Sequence, residues 1–499
     1  MTPSDVNNPV RSWIIGHVLA NPKKAIFLPV LVTLIMGAGI SYLVVDDDMM
    51  AMLPETLDSR MSWDAVQDEF GSTEVIFIAF GNKDKTIYSS KTFSLLWDLA
   101  KALENLDQVE KVSCLTTISR IDSENGFMEI SDLQPVRDLS AKQIDKIKQY
   151  LKQNPTIKQR VVSASEEYFN IMVQPYEDIP HDVMRNVVVT IGDSVLPAEY
   201  EVHYGGTAYI TGSVPTMIRN DITVLLRVGL FIMAIVLMVN LRNPFAVVMV
   251  FAVIIQSLIV MAGFMGWMVF VTGSERFYFT IINASMPIIL LTIANSDGVH
   301  FVAKFFKEMR KKKDTKKSLE STMDTLLVPI FLTSLTTIAA FLSLSFAPIK
   351  QLMGYGVCIS VGIAHAFILS STFLPAAISL KKWDMSSKAV TRPSIFENLI
   401  AYFGKTVTSN PKSILGAGVL IASAGIVGLL YLKVDVNIAS FFRPGTEFRD
   451  SIDFIDQEMT GTMDIRVRLE GSMKNPKTLN EIINLQDMLE NNNKVTTTR

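Results

Sequence analysis

The sequence predicts an α+β polytopic membrane protein, in which a bundle of transmembrane helices carries a large polar domain outside the membrane. Hydrophobic residues make up 49% of the 499 positions, yet 19% of the positions are charged. The apolar residues are concentrated in segments of transmembrane length, and two long polar regions interrupt these segments. A chain with this composition is too apolar for an ordinary soluble protein and too charged to lie wholly in lipid.

The first apolar segment occupies residues 25–45 and follows a lead-in, residues 1–24, that we interpret as a cytoplasmic helix. A segment of this length spans about 30 Å of hydrocarbon in a helical conformation. Lys23 and Lys24 precede it and Asp46 follows it, and a basic flank favours the cytoplasmic side. Because no small-residue cleavage site follows, we expect an uncleaved span rather than a signal peptide.

Residues 46–219 form a polar region that alternates between strand and helix patterns. Strand–helix–strand units of this length are typical of split βαβ, ferredoxin-like subdomains. The predicted strands are Thr73–Phe80, Val109–Ile118, Val161–Val173 and Val202–Thr211. The predicted helices are Thr92–Leu106, Ala141–Gln153 and Pro180–Val195.

Residues 220–382 contain five apolar segments whose connections alternate in charge. The predicted spans are 222–239, 244–271, 279–302, 326–346 and 353–380. Lysine and arginine are concentrated at 304–317 and 381–392, whereas 272–278 and 347–351 contain only Arg276 and Lys350 as cations. Positive loops stay in the cytoplasm, so the amino terminus is expected inside and the 46–219 domain outside.

The remaining chain repeats the beginning of the sequence. Residues 383–411 are a predicted cytoplasmic linker, 412–432 a seventh span, and 433–499 the start of a second extracytoplasmic domain. Asn21-Pro-Lys matches Asn410-Pro-Lys at an offset of about 389 residues, and internal repeats are a feature of many transporters. The same offset relates Leu53–Arg60 to Phe442–Arg449, and Val75–Gly81 to Ile465–Gly471. We therefore expect the chain to be the amino-terminal part of a longer protein.

A carboxylate inside the fourth predicted span is the main candidate for function. Burying a charged side chain in a membrane costs about 2.5–3.5 kcal/mol on insertion scales, and such residues usually face a bundle interior or a water path. Asp297 shares a helix face with His300, and Asn295 and Ser296 are close by. We interpret this cluster as a proton relay. The alternative is a structural aspartate, hydrogen-bonded between helices.

Hydroxyl groups of the fifth span are the predicted partners of Asp297. Serine and threonine also mediate ordinary packing between spans, so that alternative stays open. The candidates are Thr333, Ser334, Thr336 and Thr337. His365, in the sixth span, is better explained as a packed and satisfied histidine.

The sequence favours an ion gradient over chemical catalysis as the energy source. It contains no complete Gly-x4-Gly-Lys-Ser/Thr nucleotide-binding loop, because Gly404-Lys405-Thr406 has Leu399 where that motif needs its first glycine. Five scattered histidines with two cysteines predict neither a metal site nor a disulfide framework. A net charge of −3 gives no sign of nucleic-acid binding. We expect no enzymatic activity and no cofactor.

The motifs together resemble the resistance-nodulation-division (RND) superfamily, and within it the MMPL-type and Patched-like exporters of hydrophobic molecules. Spans two to six also resemble a sterol-sensing domain. The resemblance covers nearly the whole chain. The motifs that carry it are Leu53–Arg60, Gly205–Asp221, Ala294–Phe301, Thr333–Leu344 and Tyr355–Ala376.

The resemblance implies proton-driven export of lipids, sterol- or hopanoid-like compounds or drugs from a bacterial inner membrane. Asp297 is then the proton carrier of the fourth span, and the 46–219 region is a porter domain. Ser296 stands where many members have another acidic residue, which leaves one carboxylate in place of two. The expected partners are the substrate and membrane lipids; a homo-oligomer and a periplasmic partner are compatible with the family. The alternatives are a sterol- or lipid-sensing receptor without net transport and an accessory protein of secretion.

Overall fold

The computed structural model describes most of the chain, and its described residues separate into two compact units. The membrane unit contains residues 9–46, 53–54 and 215–432, and the polar unit contains 55–214 and the described residues after 443. The described residues are 9–46, 53–70, 74–124, 127–176, 178–393, 395–432, 444–459, 467–469, 472 and 474–490.

Helices and strands alternate in the first half of the chain, and helices dominate the second half. The strands are β1 (Ile76–Gly81), β2 (Val109–Ser113), β3 (Ser119–Glu124), β4 (Phe127–Asp132), β5 (Tyr168–Pro175) and β6 (Glu201–Gly205). The first helices are α1 (Pro9–Ala20), α2 (Pro22–Gly37), α3 (Asp58–Phe70), α4 (Ser90–Glu104), α5 (Ala141–Gln153), α6 (Pro155–Val161) and α7 (His181–Val195). The later helices are α8 (Thr207–Leu241), α9 (Pro244–Thr272), α10 (Met286–Lys312), α11 (Thr315–Leu342), α12 (Lys350–Ile368), α13 (Leu374–Leu380), α14 (Lys388–Thr391), α15 (Ile395–Ser409), α16 (Pro411–Leu429), α17 (Glu447–Glu458) and α18 (Pro476–Glu490).

Seven helical stretches among the described residues are long and apolar enough to cross a membrane. This confirms the prediction of a polytopic membrane protein. The stretches are Pro22–Tyr42, Thr207–Leu241, Pro244–Thr272, Ile281–Lys312, Thr315–Phe346, Lys350–Leu380 and Pro411–Leu429.

Side-chain caps mark the beginnings of two membrane helices, α9 and α11. The Asn243 side chain accepts a hydrogen bond from the Ala246 amide at 3.1 Å before α9, and Asp314 accepts one from the Lys317 amide at 2.7 Å before α11. These caps satisfy amide groups that have no partner inside a first helical turn. The α10–α11 connection is therefore a tight turn, and it places two antiparallel helices side by side.

Glycines bring α2 and α9 into direct backbone contact. A Cβ atom added to Gly263 would lie 1.9 Å from the Met36 carbonyl oxygen. One added to Gly266 would lie 1.9 Å from the carbonyl oxygen of Gly39, in the 3-10 turn Ala38–Tyr42 that follows α2. The Trp267 indole donates a hydrogen bond to the Ile35 carbonyl at 3.1 Å. Small residues allow this approach between membrane helices, where packing replaces the hydrophobic effect as the source of association.

The polar unit is built on a four-stranded antiparallel sheet with the order β2-β5-β1-β6. Along the chain, its elements follow as strand, helix, strand, strand, helix, strand, with α4 and α7 as the two helices. The β3–β4 hairpin, α5 and α6 are inserted between β2 and β5. Phe93 of α4 contacts Phe169 of β5 edge-on, with ring centroids 5.1 Å apart.

All four predicted strands of this unit differ from the observed ones at their ends, and β1 occupies Ile76–Gly81 where Thr73–Phe80 was predicted. The strand predicted over Val202–Thr211 ends at Gly205, because Gly206 adopts φ +93° and α8 begins immediately afterwards. The strand predicted over Val109–Ile118 ends at Ser113. In the stretch predicted as Val161–Val173, α6 ends at Val161 and β5 starts only at Tyr168.

Helix α17, from the second copy of the repeat, packs on the sheet formed by the first copy. Ile455 and Met459 join the buried cluster of Val75, Phe77 and Ala79 on the sheet. Helices α3 and α17 carry the same internal ion pair, Arg60–Asp64 and Arg449–Asp453, each at 2.8 Å. The repeated strand predicted at 465–471 lies mostly outside the described residues.

Candidate functional site

Asp297 lies in α10 and is hydrogen-bonded to the neighbouring membrane helix. The Ser334 hydroxyl of α11 donates to Asp297 Oδ2 at 3.2 Å. Ser334 is buried, with 5% of its surface exposed, and Asp297 is half-buried. The site is therefore a carboxylate inside a candidate membrane span, held by one neutral donor from a second span.

The other predicted relay residues of α10 differ in their surroundings. His300 lies one turn after Asp297 on the same face and is exposed within the unit. Ser296 is also exposed, on another side of the helix. The Asn295 amide oxygen is buried and has no hydrogen-bond partner in the described part of the chain. Only His300 among these three shares the Asp297 face.

Thr336 and Thr337, predicted as relay partners, do not bond Asp297. The Thr336 hydroxyl donates to the Leu332 carbonyl at 2.9 Å, and the Thr337 hydroxyl donates to the Thr333 carbonyl at 2.7 Å. Such bonds to the preceding turn are common for threonine in helices. Of the four candidate hydroxyls on α11, Ser334 is the one that the structure brings to the carboxylate.

Sequence reasoning missed a second acidic residue on α10, Glu308. Its side chain is only 7% exposed, and its oxygens lie 3.1 Å from Lys304 Nζ and 3.8 Å from Lys312 Nζ. The Ser321 hydroxyl of α11 donates to Glu308 Oε2 at 3.2 Å. A signal was present in the four-residue spacing of Lys304, Glu308 and Lys312, which is typical of helical ion pairs.

His365 is a satisfied histidine, as its position in an apolar span favours. Its Nε2 lies 3.0 Å from the Thr33 hydroxyl of α2, and the same hydroxyl lies 3.4 Å from the Gln256 amide oxygen of α9. His365 is 5% exposed. A π-helical turn, Leu369–Phe373, follows α12 and connects it to α13. This polar contact joins three membrane helices at a place separate from Asp297.

Several charged groups of the polar unit form ion pairs at its surface. Arg137 donates two hydrogen bonds of 2.7 Å to the Asp98 carboxylate. Hydrogen bonding by this guanidinium holds the pKa of Asp98 below its ordinary value. Lys91 and Glu199 form a similar surface pair at 2.5 Å. We find no group of three or more metal-ligating side chains in the described ranges.

Comparison with known proteins places these features in a family context. The family model described as MMPL family matches residues 51–426, which include Asp297, Ser334 and Glu308. A membrane protein of Methanocaldococcus jannaschii is 25% identical over 375 residues, which correspond to 72% of this chain and 91% of that protein.

Proposed function

Because this chain belongs to the MMPL family, we propose that it uses the proton gradient to export hydrophobic or amphiphilic molecules across the membrane. The match makes it a membrane transporter of the RND/MMPL type. The substrate class that we propose is lipids, sterol- or hopanoid-like compounds, or drugs. The observation that carries the proton coupling is the Asp297 carboxylate, half-buried in a membrane helix and bonded to Ser334.

The chemistry of Asp297 suits a proton that binds and leaves. An ionised carboxylate is costly within a membrane, and protonation removes that cost. In the ionised state, the Ser334 hydroxyl donates to the carboxylate; in the protonated state, the carboxyl has its own donor and the serine can accept. Proton binding therefore reverses the hydrogen bond between α10 and α11. We propose that this reversal couples the protonation of Asp297 to a movement of α10 against α11.

The polar unit is the proposed porter domain, on the extracytoplasmic side. Its strand and helix order and its β2-β5-β1-β6 sheet support a ferredoxin-like, split βαβ subdomain. The cluster of basic residues at the end of α10, Arg310 to Lys313, supports a cytoplasmic location for that end. With α10 oriented in this way, the amino terminus is cytoplasmic. The membrane that we propose for this chain is the bacterial inner membrane.

The test is Asp297→Asn in the full-length protein, with Asp145→Asn of the exposed α5 surface as the matched control. Lipids that co-purify with the wild-type protein in mild detergent are identified by mass spectrometry, and the enriched species serves as the export substrate. We expect Asp297→Asn to abolish proton-dependent export and to leave the melting temperature unchanged. Export by Asp297→Asn at the wild-type rate would exclude the proposed mechanism.

A further inference from the structure

We propose that Glu308 is the cytoplasmic end of the proton path that begins at Asp297, and that Lys304 positions it. This inference rests on the proposed function and adds a residue that receives the proton before it reaches the cytoplasm. Its basis is the placement of four titratable side chains on one face of α10, together with the burial of the last one.

The four side chains follow helical spacing. Asp297, His300, Lys304 and Glu308 stand at positions i, i+3, i+7 and i+11 of α10. At about 100° per residue they fall within about 80° of arc, and at about 1.5 Å per residue they cover about 16 Å along the axis. They form a continuous titratable strip from the proposed proton carrier to the basic end of the helix.

Both carboxylates of the strip are bonded to serines of α11. Ser334 donates to Asp297 at 3.2 Å, and Ser321 donates to Glu308 at 3.2 Å. Between these serines, α11 buries Leu327 and Ile330, with 7% and 6% of their surfaces exposed. An apolar section therefore separates two polar contacts, and His300 and Lys304 are the titratable groups that extend along α10 beside it.

The Glu308 side chain is more buried than the two lysines that pair with it. Its side chain is 7% exposed, whereas Lys304 is 26% and Lys312 is 38% exposed. Burial of a carboxylate is costly unless cations and hydrogen-bond donors satisfy it, and here two lysines and one serine do so. In the proposed step, the Asp297 carboxyl loses one proton, which the His300 imidazole and water carry to the ionised Glu308 carboxylate. Glu308 then releases it to water on the cytoplasmic side, so each group returns to its starting state.

Other charged groups lie near the cytoplasmic end of the strip, whereas the apolar helices beside it contribute few. Helix α9, which packs against α10, contains no titratable side chain over its whole described length. Lys311 of α10 lies near Glu308, and on α11 the charged residues close to Ser321 are Lys316, Lys317, Glu320 and Asp324. Helix α12 also packs against α10, and its His365 is bonded to Thr33. The remaining titratable residues of α12 are Lys350, Tyr355 and Cys358.

The experiment follows the protonation of Asp297 directly and needs no transport substrate. Purified protein is placed in liposomes with its basic loops facing outward, and the external pH is raised abruptly. The infrared C=O band of protonated Asp297, identified by its absence in Asp297→Asn, reports the loss of its proton. We expect Glu308→Gln to slow this loss at least tenfold, and Glu308→Asp to keep a rate within about threefold of wild type.

Two further variants distinguish a slower loss of the proton from a folding defect. Lys304→Met is expected to slow the loss of the proton as well, because it releases the Glu308 carboxylate from its position. Lys405→Gln is the matched control, since Lys405 is exposed on α15 and does not belong to the strip, and it should leave the rate unchanged. Wild-type rates in both folded Glu308→Gln and Lys304→Met would overturn the assignment of Glu308. Absence of any Asp297 band in the wild-type protein would instead overturn the proposed proton coupling.

Discussion

Two interfaces of the membrane unit differ in what holds the helices together. The α2–α9 interface is closed by glycines, with backbone atoms in contact and an indole-to-carbonyl hydrogen bond. The α10–α11 interface contains Asp297 and Glu308, each bonded to one serine. The glycines, the carbonyl groups and the indole of the first interface do not gain or lose a proton, so these contacts do not depend on protonation. The second contains two groups that gain or lose a proton, so its hydrogen bonds depend on where the proton is.

The largest expected effect is at the glycine interface. In Gly263→Ala, the added Cβ would overlap the Met36 carbonyl oxygen at 1.9 Å, and separating the helices should cost at least about 2–3 kcal/mol of stability. The measurement is the melting temperature in detergent. Gly16→Ala in α1 is the control, because no atom lies within 4 Å of its Cβ position. Equal melting temperatures for the two variants would show that α2 and α9 can separate freely.

A smaller loss is expected where His365 joins α2 to α12. Thr33→Val removes the hydroxyl that lies 3.0 Å from His365 Nε2, and leaving a buried polar group without a partner costs about 1–3 kcal/mol. Thr292→Val is the comparison, since that exposed threonine bonds only the Ile288 carbonyl of its own helix. If Thr33→Val melted like Thr292→Val, the polar contact would contribute nothing to holding α2 in place.

Ser334→Ala separates function from stability at the α10–α11 interface. It removes the donor to Asp297, and a net hydrogen bond of about 1 kcal/mol corresponds to roughly a fivefold change in a rate or equilibrium. We expect proton-dependent export to fall about fivefold, with a nearly unchanged melting temperature. Thr337→Ala, whose hydroxyl bonds its own helix, should export at the wild-type rate. The reverse pattern would identify Thr337 as the partner of Asp297.

The smallest effect is expected for a charged pair in water, which contrasts with the carboxylates inside the membrane unit. Arg137 keeps the pKa of Asp98 below its ordinary value. This pair therefore stabilises the folded state at neutral pH, and its contribution is lost as the pH falls through and below about 4. Arg137→Ala should lower the melting temperature slightly at pH 7 and converge with wild type in acid. A difference that persisted in acid would show that Arg137 acts through packing, and Lys142→Ala is the exposed control.

Features whose signal is local can be predicted from the sequence. A carboxylate within an apolar run is visible from composition, so Asp297 was found directly. Helix α5 matches its prediction at both ends, because its apolar residues recur with helical period between a Ser140 capping box and Asn154. The strand predicted over Val202–Thr211 failed because its Gly205-Gly206 pair marks a change of element. The positive φ of Gly206 ends the strand just before a helix whose first residues are as apolar as a strand.

By itself, the sequence determined that the chain crosses a membrane, where its polar region lies along the chain, and which aspartate is the candidate proton carrier. These properties depend on hydrophobicity and charge over one or two dozen neighbouring residues. Only the tertiary structure decided that Ser334 rather than Thr336 or Thr337 bonds Asp297, that Glu308 is buried, and that the strands pair in the order β2-β5-β1-β6. These properties depend on the rotation and register of one element against another, and residues distant in the chain set both.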